Sequence, residues 1–158
     1  MKVIKQILLC CGLLISMAAT SQILEPASWN CSISNKAVKP GDIVELVFTV
    51  ELDDTWHLYG NKQNYDIGPL PTVFEFEKSN DYKLIGDVKA VDTKMKYDDV
   101  FEVDVNYFEH TAEFRQKVKV LSKDAVIKGS YEYQVCTMVD GKCIMGNDDF
   151  EIAVNPSS

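Results

Sequence analysis

The chain has 158 residues, 46% of them hydrophobic, and a formal net charge of −8 at pH 7. This length and apolar content suit one domain with a hydrophobic core. The acidic sequence contains no basic run that could neutralise phosphates or dock on anionic lipid, so nucleic acid and membrane surfaces are excluded as expected partners.

The N-terminal segment has the three parts of a secretory signal peptide. Two lysines fall in the first five residues, an apolar stretch reaches Met17, and Ala19-Thr20-Ser21 supplies a cleavage site before Gln22. The apolar stretch is interrupted and shorter than the ~20 residues that span a bilayer, which argues against membrane insertion. We therefore predict a periplasmic or otherwise exported protein with a signal peptide at 1–21 and a single domain at 22–158. Loss of the two lysines takes the net charge from −8 to −10 (−8 − 2).

Period-two alternation dominates the rest of the chain and is clearest from Val44 to Leu52 and from Ala112 to Val120. Such stretches predict strands with one buried face. The predicted strands are 28–34, 44–52, 56–60, 72–77, 82–90, 100–105, 112–120, 125–136 and 149–154. No segment after the signal peptide keeps a helical period. The predicted fold class is therefore all-β, an immunoglobulin-like antiparallel β-sandwich, with a barrel as the second choice.

Three cysteines remain once the signal peptide is removed: Cys31, Cys136 and Cys143. Cys31 shares one strand face with Trp29 and Ile33, so we interpret it as a buried small hydrophobic residue. Export permits disulfides, which leaves the other two cysteines as the candidate pair.

Cys136 and Cys143 flank a predicted hairpin turn. Asp140-Gly141 favours a type I′ turn, which would bring the two cysteines face to face near the mouth of the hairpin. Alternation over 130–136 puts Cys136 with the polar side chains, which predicts an accessible sulfur. Two thiols, a hairpin and export together indicate a redox pair.

The residues alone leave other interpretations open. A purely structural disulfide closing this eight-residue loop would stabilise the fold by roughly 2–3 kcal/mol, and would suit a non-catalytic interaction domain. Cys136-Thr137-Met138 and Cys143-Ile144-Met145 also repeat a Cys-x-Met pattern whose soft sulfur ligands suit Cu(I). His57 and His110, which could complete a copper site, are distant in sequence.

A series of short motifs runs along the mature chain. They are Trp29, Asp54-Thr55-Trp56-His57-Leu58-Tyr59, Gly68-Pro69-Leu70-Pro71-Thr72, Tyr107-Phe108 with Phe114-Arg115, and Tyr133-Gln134-Val135-Cys136. In this order, and with a second cysteine soon after the last motif, they resemble the N-terminal periplasmic domain of the thiol:disulfide interchange protein DsbD. The resemblance covers nearly all of the mature chain.

The resemblance implies a domain that takes electrons from a membrane-embedded or thioredoxin-like oxidoreductase and passes them to periplasmic clients by thiol–disulfide exchange. No cofactor and no metal are expected for this chemistry. Cys136 and Cys143 match the family's redox pair, and the match makes Cys143 the sulfur that forms the mixed disulfide and Cys136 the resolving one. Cytochrome c maturation and oxidative-stress defence both fit such a module.

The family also has a cap loop that lays an aromatic ring over the disulfide, and Tyr107 or Phe108 occupies the matching stretch. Tyr59 and His57 match aromatic positions that line the family's active site. The hairpin departs from the family in two ways: six residues separate the cysteines, and Ile144-Met145-Gly146-Asn147 replaces a proline-rich segment. A stand-alone domain would need its electron donor in trans.

Overall fold

The computed structural model describes residues 24–35 and 37–155, so the predicted signal peptide lies outside the described residues. Its regular elements are all strands. They are β1 (Ala27–Ile33), β2 (Ile43–Leu52), β3 (Trp56–Tyr59), β4 (Val73–Phe76), β5 (Tyr82–Val91), β6 (Lys94–Asp98), β7 (Val103–Glu109), β8 (Thr111–Val120), β9 (Val126–Thr137) and β10 (Cys143–Ala153). Across this described part of the chain there is no helix, and hence none that could span a membrane.

The strands form two antiparallel sheets. One has four strands in the order β1-β2-β8-β5, and the other has six, with the order β10-β9-β3-β7-β6 and β4 paired to β9. The two sheets pack their apolar faces together, which confirms the predicted immunoglobulin-like sandwich.

The main core lies between the sheets and follows the predicted alternation. Along β2 the even-numbered positions from Val44 to Leu52 are buried, and Phe48 contacts the core from the centre of that strand. Phe48 pairs in register with Phe114 of β8, and both side chains are fully buried. Cys31 is half-buried against this core, and burial raises the pKa of its thiol to about 11, as expected for a small apolar residue.

The strand prediction was wrong in two regions. The stretch 100–105 was expected to be a single strand, but residues 99–102 form the turn of a β6–β7 hairpin. In addition, β10 begins at Cys143, six residues before the predicted start at 149. Both β6 and the first half of β10 are mostly exposed, so neither carries the apolar alternation from which the other strands were predicted.

A second, smaller cluster lies on the outer face of the six-stranded sheet. It consists of Tyr59, Val105, Tyr107 and Cys136, with Tyr65 packed against it. The loop that carries Tyr65 is held there because the Thr72 hydroxyl donates a 2.6 Å hydrogen bond to the carbonyl of Tyr59. The outer face is therefore covered at this point, and all four residues of β3 are buried. This cluster positions the functional site.

Candidate functional site

Cys136 and Cys143 form a disulfide between the last two strands. They lie directly opposite each other in the β9–β10 register, and their Cα atoms are 4.1 Å apart. Cys31 is the one free cysteine in the described residues. The disulfide therefore bridges the mouth of a hairpin at the end of the six-stranded sheet.

The hairpin turn differs from the predicted type I′ turn. Gly141 has a φ of 69°, but Asp140 does not have the positive φ that a type I′ turn also requires. Residues 138–142 instead form a longer loop, in which the Gly141 amide donates a 3.1 Å bond to the Thr137 carbonyl. The Lys142 amide donates a 3.1 Å bond to the side chain of Asp140. A single left-handed glycine is thus enough to close the loop.

The two sulfur-bearing residues differ in exposure. Cys136 is only 3% exposed, whereas Cys143 is exposed. The prediction that Cys136 offers an accessible sulfur was wrong. The alternation places Cys136 correctly on the outer face of β9, but it does not reveal that other side chains cover this face. Cys143 is the cysteine open to a partner.

A short loop between β6 and β7 faces the disulfide across a shared pocket, and we call residues 98–102 the cap loop. Asp98 anchors it: Oδ1 accepts hydrogen bonds from the amides of Val100 (3.0 Å) and Phe101 (3.2 Å). Glu102 closes the turn with a φ of 56°, and its amide donates a 2.7 Å bond to the Asp98 carbonyl. Val100 reaches the hairpin, since a Cβ built on Gly141 would lie 3.6 Å from the Val100 Cγ2.

A pocket of about 310 Å³ lies between the cap loop and the hairpin. Its lining includes both cysteines, and the other lining residues are His57, Tyr59, Lys96, Tyr97, Asp98, Asp99, Val100, Phe101, Thr137, Met138 and Gly141. Size does not distinguish this pocket, because a cleft of about 570 Å³ lies elsewhere, along β2, β7 and β8. The disulfide in its lining distinguishes this pocket from the others.

The two residues expected to cap the disulfide, Tyr107 and Phe108, lie in different clusters. Phe108 belongs to the main core, where its ring lies 5.2 Å from that of Phe114, on the opposite face of the sheet from the disulfide. Tyr107 lies in the outer-face cluster with Cys136, and Lys96 Nζ is 4.6 Å from its ring centroid. The aromatic ring of the cap loop is Phe101, which packs edge-on to Tyr59 at 6.4 Å.

His57 and Tyr59 both line the pocket, as the resemblance implied, and a chain of hydrogen bonds joins them to the cap loop. His57 Nε2 and the Tyr59 hydroxyl are 3.0 Å apart, and that hydroxyl donates a 3.0 Å bond to Asp98 Oδ2. Burial, then the nearby charge of Lys96, lowers the pKa of His57 to about 4, so the ring is neutral at neutral pH. Burial and the Asp98 carboxylate raise the pKa of Tyr59, which keeps its hydroxyl protonated.

Gln134 also contacts the disulfide, although the sequence did not single it out as a site residue. Its Oε1 accepts a 2.7 Å hydrogen bond from the amide of Leu70, which fixes the orientation of the side-chain amide. Its Nε2 then points at the Cys136 sulfur at 3.5 Å. The side-chain amide of Gln134 can therefore donate a hydrogen bond to the Cys136 sulfur when negative charge develops on it.

Exposed apolar side chains lie on β6, on the cap loop and on the β9–β10 hairpin. They are Tyr97, Val100, Met138, Val139 and Met145, all more than half exposed. We call these five residues the apolar rim. In the described residues no group of three or more His, Cys, Asp or Glu side chains is arranged to hold a metal ion.

Comparison with known proteins gives one family match. Residues 28–155 match the family model described as the N-terminal region of the thiol:disulfide interchange protein DsbD. No curated protein matches the chain.

Three solved structures share the fold. The reduced DsbD N-terminal domain of Neisseria meningitidis is 19% identical, with a TM-score of 0.52, over 80% of this chain and 86% of that one. The N-terminal periplasmic domain of ScsB from Proteus mirabilis is 14% identical, with a TM-score of 0.58, over 85% of this chain and 49% of that one. A complex of the DsbD and PilB N-terminal domains from Neisseria meningitidis gives 13% identity and a TM-score of 0.52, over 84% of this chain and 88% of that one.

Proposed function

The chain belongs to the family of DsbD N-terminal domains, and from this premise we propose that it relays electrons between a thiol donor and exported client proteins through the Cys136–Cys143 pair. The observation that carries the proposal is the asymmetry of the disulfide. Cys143 is open to a partner, while Cys136 is buried beside the Gln134 amide, which can stabilise it as a leaving thiolate. A disulfide with only a stabilising role needs neither feature.

The proposed exchange begins at the exposed sulfur. A partner thiolate attacks Cys143 Sγ in line with the S–S bond, and Cys136 leaves as a thiolate with the bonding electron pair. The Gln134 amide, 3.5 Å from the Cys136 sulfur, supports the charge on that leaving group. The product is a mixed disulfide between the partner and Cys143.

The second half of the exchange completes a two-electron transfer. The partner's second thiolate attacks its own sulfur in the mixed disulfide and releases Cys143 as a thiolate. The partner dithiol becomes a disulfide, and Cys136 and Cys143 together gain two electrons and take up two protons. Electron delivery to a client is the same sequence in reverse, with Cys143 attacking the client disulfide and Cys136 resolving the mixed disulfide.

The cap loop gives the exchange its selectivity in this proposal. Asp98 and Tyr59 hold the loop over the disulfide through a buried hydrogen bond, which hinders attack by small thiols. A protein partner can offset the cost of displacing the loop by covering the apolar rim, whose exposed side chains resemble those at the centres of protein interfaces. A small thiol gains no such contact.

The expected partners are thioredoxin-like or membrane-embedded thiol oxidoreductases, acting in trans. Among the structures that share the fold, one is a complex of the DsbD and PilB N-terminal domains, which supports a protein partner at this kind of domain. The predicted signal peptide at 1–21 and the periplasmic ScsB domain support a periplasmic location.

The reduction potential of the pair tests the proposal. The purified domain, residues 22–158, is equilibrated in glutathione or dithiothreitol buffers, and the redox state is read by thiol trapping and mass spectrometry. A potential above about −250 mV supports exchange with partners. A potential below about −300 mV, together with a large loss of stability on reduction, would mean a structural disulfide and would overturn the proposal.

A further inference from the structure

His57 carries a buried nitrogen that has no hydrogen-bond partner. His57 is 4% exposed, and its Nδ1 is one of three buried side-chain polar atoms without a partner among the described residues. Buried polar atoms are almost always paired, so an exception at a functional site calls for a physical reason. His57 lies directly opposite Cys136 in the β3–β9 register. Directly opposed side chains of neighbouring strands are in contact distance.

The hydrogen-bond chain fixes which ring nitrogen carries the proton. The Tyr59 hydroxyl has one hydrogen and donates it to the Asp98 carboxylate. The 3.0 Å contact between that hydroxyl and His57 Nε2 must therefore be donated by Nε2–H. In the neutral ring Nδ1 then has no hydrogen and is a bare acceptor.

The charged and titratable groups around His57 offer this acceptor no donor while the disulfide is intact. On β7, Glu109 accepts a 2.7 Å hydrogen bond from Lys94 Nζ, and the Tyr107 ring lies edge-on to His57 at 5.9 Å without donating to Nδ1. On β6, the ammonium of Lys96 lies over the Tyr107 ring, and Asp98 is an acceptor. On β9, the neighbour is Cys136, whose sulfur carries no hydrogen in the disulfide.

Reduction changes one of these neighbours. When a dithiol reduces the pair, the S–S bond breaks, each sulfur gains one electron, and each takes up one proton from solvent. Cys136 then carries an S–H group, a donor that did not exist before. Cys143 gains an S–H group as well, but it lies on β10, one strand farther from His57 than Cys136.

We propose that His57 Nδ1 accepts the hydrogen bond of the Cys136 thiol in the reduced protein, and that His57 thereby acts as a positioning residue that favours the reduced state. The inference deepens the proposed function and rests on it, because it requires that the pair be reduced in use. The bond holds Cys136 as a buried neutral thiol. Cys143 is thereby left as the sulfur that reacts first with a client.

Nitrogen-15 NMR of His57 tests this directly in the mature domain, with two matched variants. Cys136→Ala and Cys143→Ala both abolish the disulfide, but only Cys143→Ala leaves a thiol opposite His57. We expect the chemical shift of Nδ1 to change when the wild type is reduced. The shift in Cys143→Ala should match that of the reduced wild type, and the shift in Cys136→Ala should match that of the oxidised wild type. Equal Nδ1 chemical shifts in the two variants would overturn the inference.

The redox equilibrium supplies a second readout. In His57→Phe the reduced form loses its hydrogen bond, and the oxidised form loses its unpaired acceptor. We therefore expect the ratio of oxidised to reduced protein in glutathione buffers to rise about fivefold, which is about 20 mV for a two-electron couple. His110→Asn, which changes an exposed histidine in a turn, is expected to leave the equilibrium unchanged. An unshifted equilibrium in His57→Phe would contradict the inference.

The outcomes for the two proposals are separable. If the Nδ1 resonance follows the Cys136 thiol but the wild-type potential lies below about −300 mV, the exchange function fails and the contact between His57 and Cys136 stands. If the potential is in the exchangeable range but the Nδ1 chemical shift does not depend on Cys136, the exchange function stands and the proposed role of His57 fails.

Discussion

The Tyr59 hydroxyl donates a 3.0 Å hydrogen bond to Asp98 Oδ2, and this bond joins the centre of the six-stranded sheet to the cap loop. Asp98 is only 6% exposed and uses its other oxygen to hold the backbone of the cap loop. The position of the cap is therefore set by a buried, charge-assisted bond to a rigid strand. Opening of the cap requires that this bond break or that the turn beyond Asp98 deform.

Removal of the Tyr59 hydroxyl should loosen the cap. In Tyr59→Phe the Asp98 carboxylate loses its bond to the sheet, and we expect glutathione to reduce the disulfide about tenfold faster, because a hydrogen bond to a charged group is worth about 1.5–3 kcal/mol. The measurement is a stopped-flow reduction rate. Tyr82→Phe is the matched control, because its hydroxyl bonds the Glu77 carbonyl away from the pocket. Equal rates in Tyr59→Phe and wild type would show that the bond does not hold the cap closed.

Phe101 and Phe108 should respond to truncation in opposite ways. Phe101→Ala removes the aromatic ring of the cap loop and should increase the rate of reduction by glutathione several-fold, with little change in the free energy of unfolding. Phe108→Ala removes a core ring and should lower the free energy of unfolding by about 3–5 kcal/mol. Urea denaturation and reduction kinetics on both variants check the contrast. If only Phe108→Ala were reduced faster, with its fold intact, the cap residue would be Phe108, in the stretch expected from the sequence.

The sequence predicted the sandwich because most of its strands have one buried and one solvated face. The strands β2 and β8 alternate in just this way, and their bounds fall within one residue of the predicted ones. By contrast, Tyr107 and Phe108 are adjacent and both buried, because Lys96 and the cluster joined by Tyr65 pack on the outer face of β7. Alternation carries no information where both faces are covered.

The same limit explains why parts of the site were missed. The cysteine pair, His57 and Tyr59 were found through motifs, but Phe101 was assigned to a strand because Val100 and Phe101 are apolar. The signal that could have identified the turn is Asp98, since an aspartate that bonds the backbone amides two and three residues later starts a turn. Gln134 belonged to a motif, yet its contact with the disulfide depends on the Leu70 amide, which is distant in sequence.

The two cysteines should behave differently when each is left alone. Cys136→Ser keeps the exposed Cys143, and we expect it to accumulate a mixed disulfide with a thioredoxin-like partner and to react with iodoacetamide at least about tenfold faster than Cys143→Ser. Cys143→Ser keeps only the buried Cys136 and should trap little partner. Non-reducing electrophoresis and alkylation rates give the two measurements. Preferential trapping by Cys143→Ser would reverse the assigned roles.

The lowered pKa of His57 predicts how stability depends on pH. The ring is neutral in the folded protein down to pH about 4, whereas the unfolded chain takes up the proton near pH 6.5. Between these values the unfolded state binds more protons, so the free energy of unfolding should fall as the pH drops from about 6.5 toward 4, by about 1–3 kcal/mol from this group. Above pH 6.5 this group contributes no pH dependence. Urea denaturation of wild type and His57→Gln at pH 7.5, 5.5 and 4.5 isolates the effect, because the carboxylates titrate in both proteins. Parallel pH profiles for the two proteins would mean that His57 is protonated in the fold as readily as in the unfolded chain, and that burial does not lower its pKa.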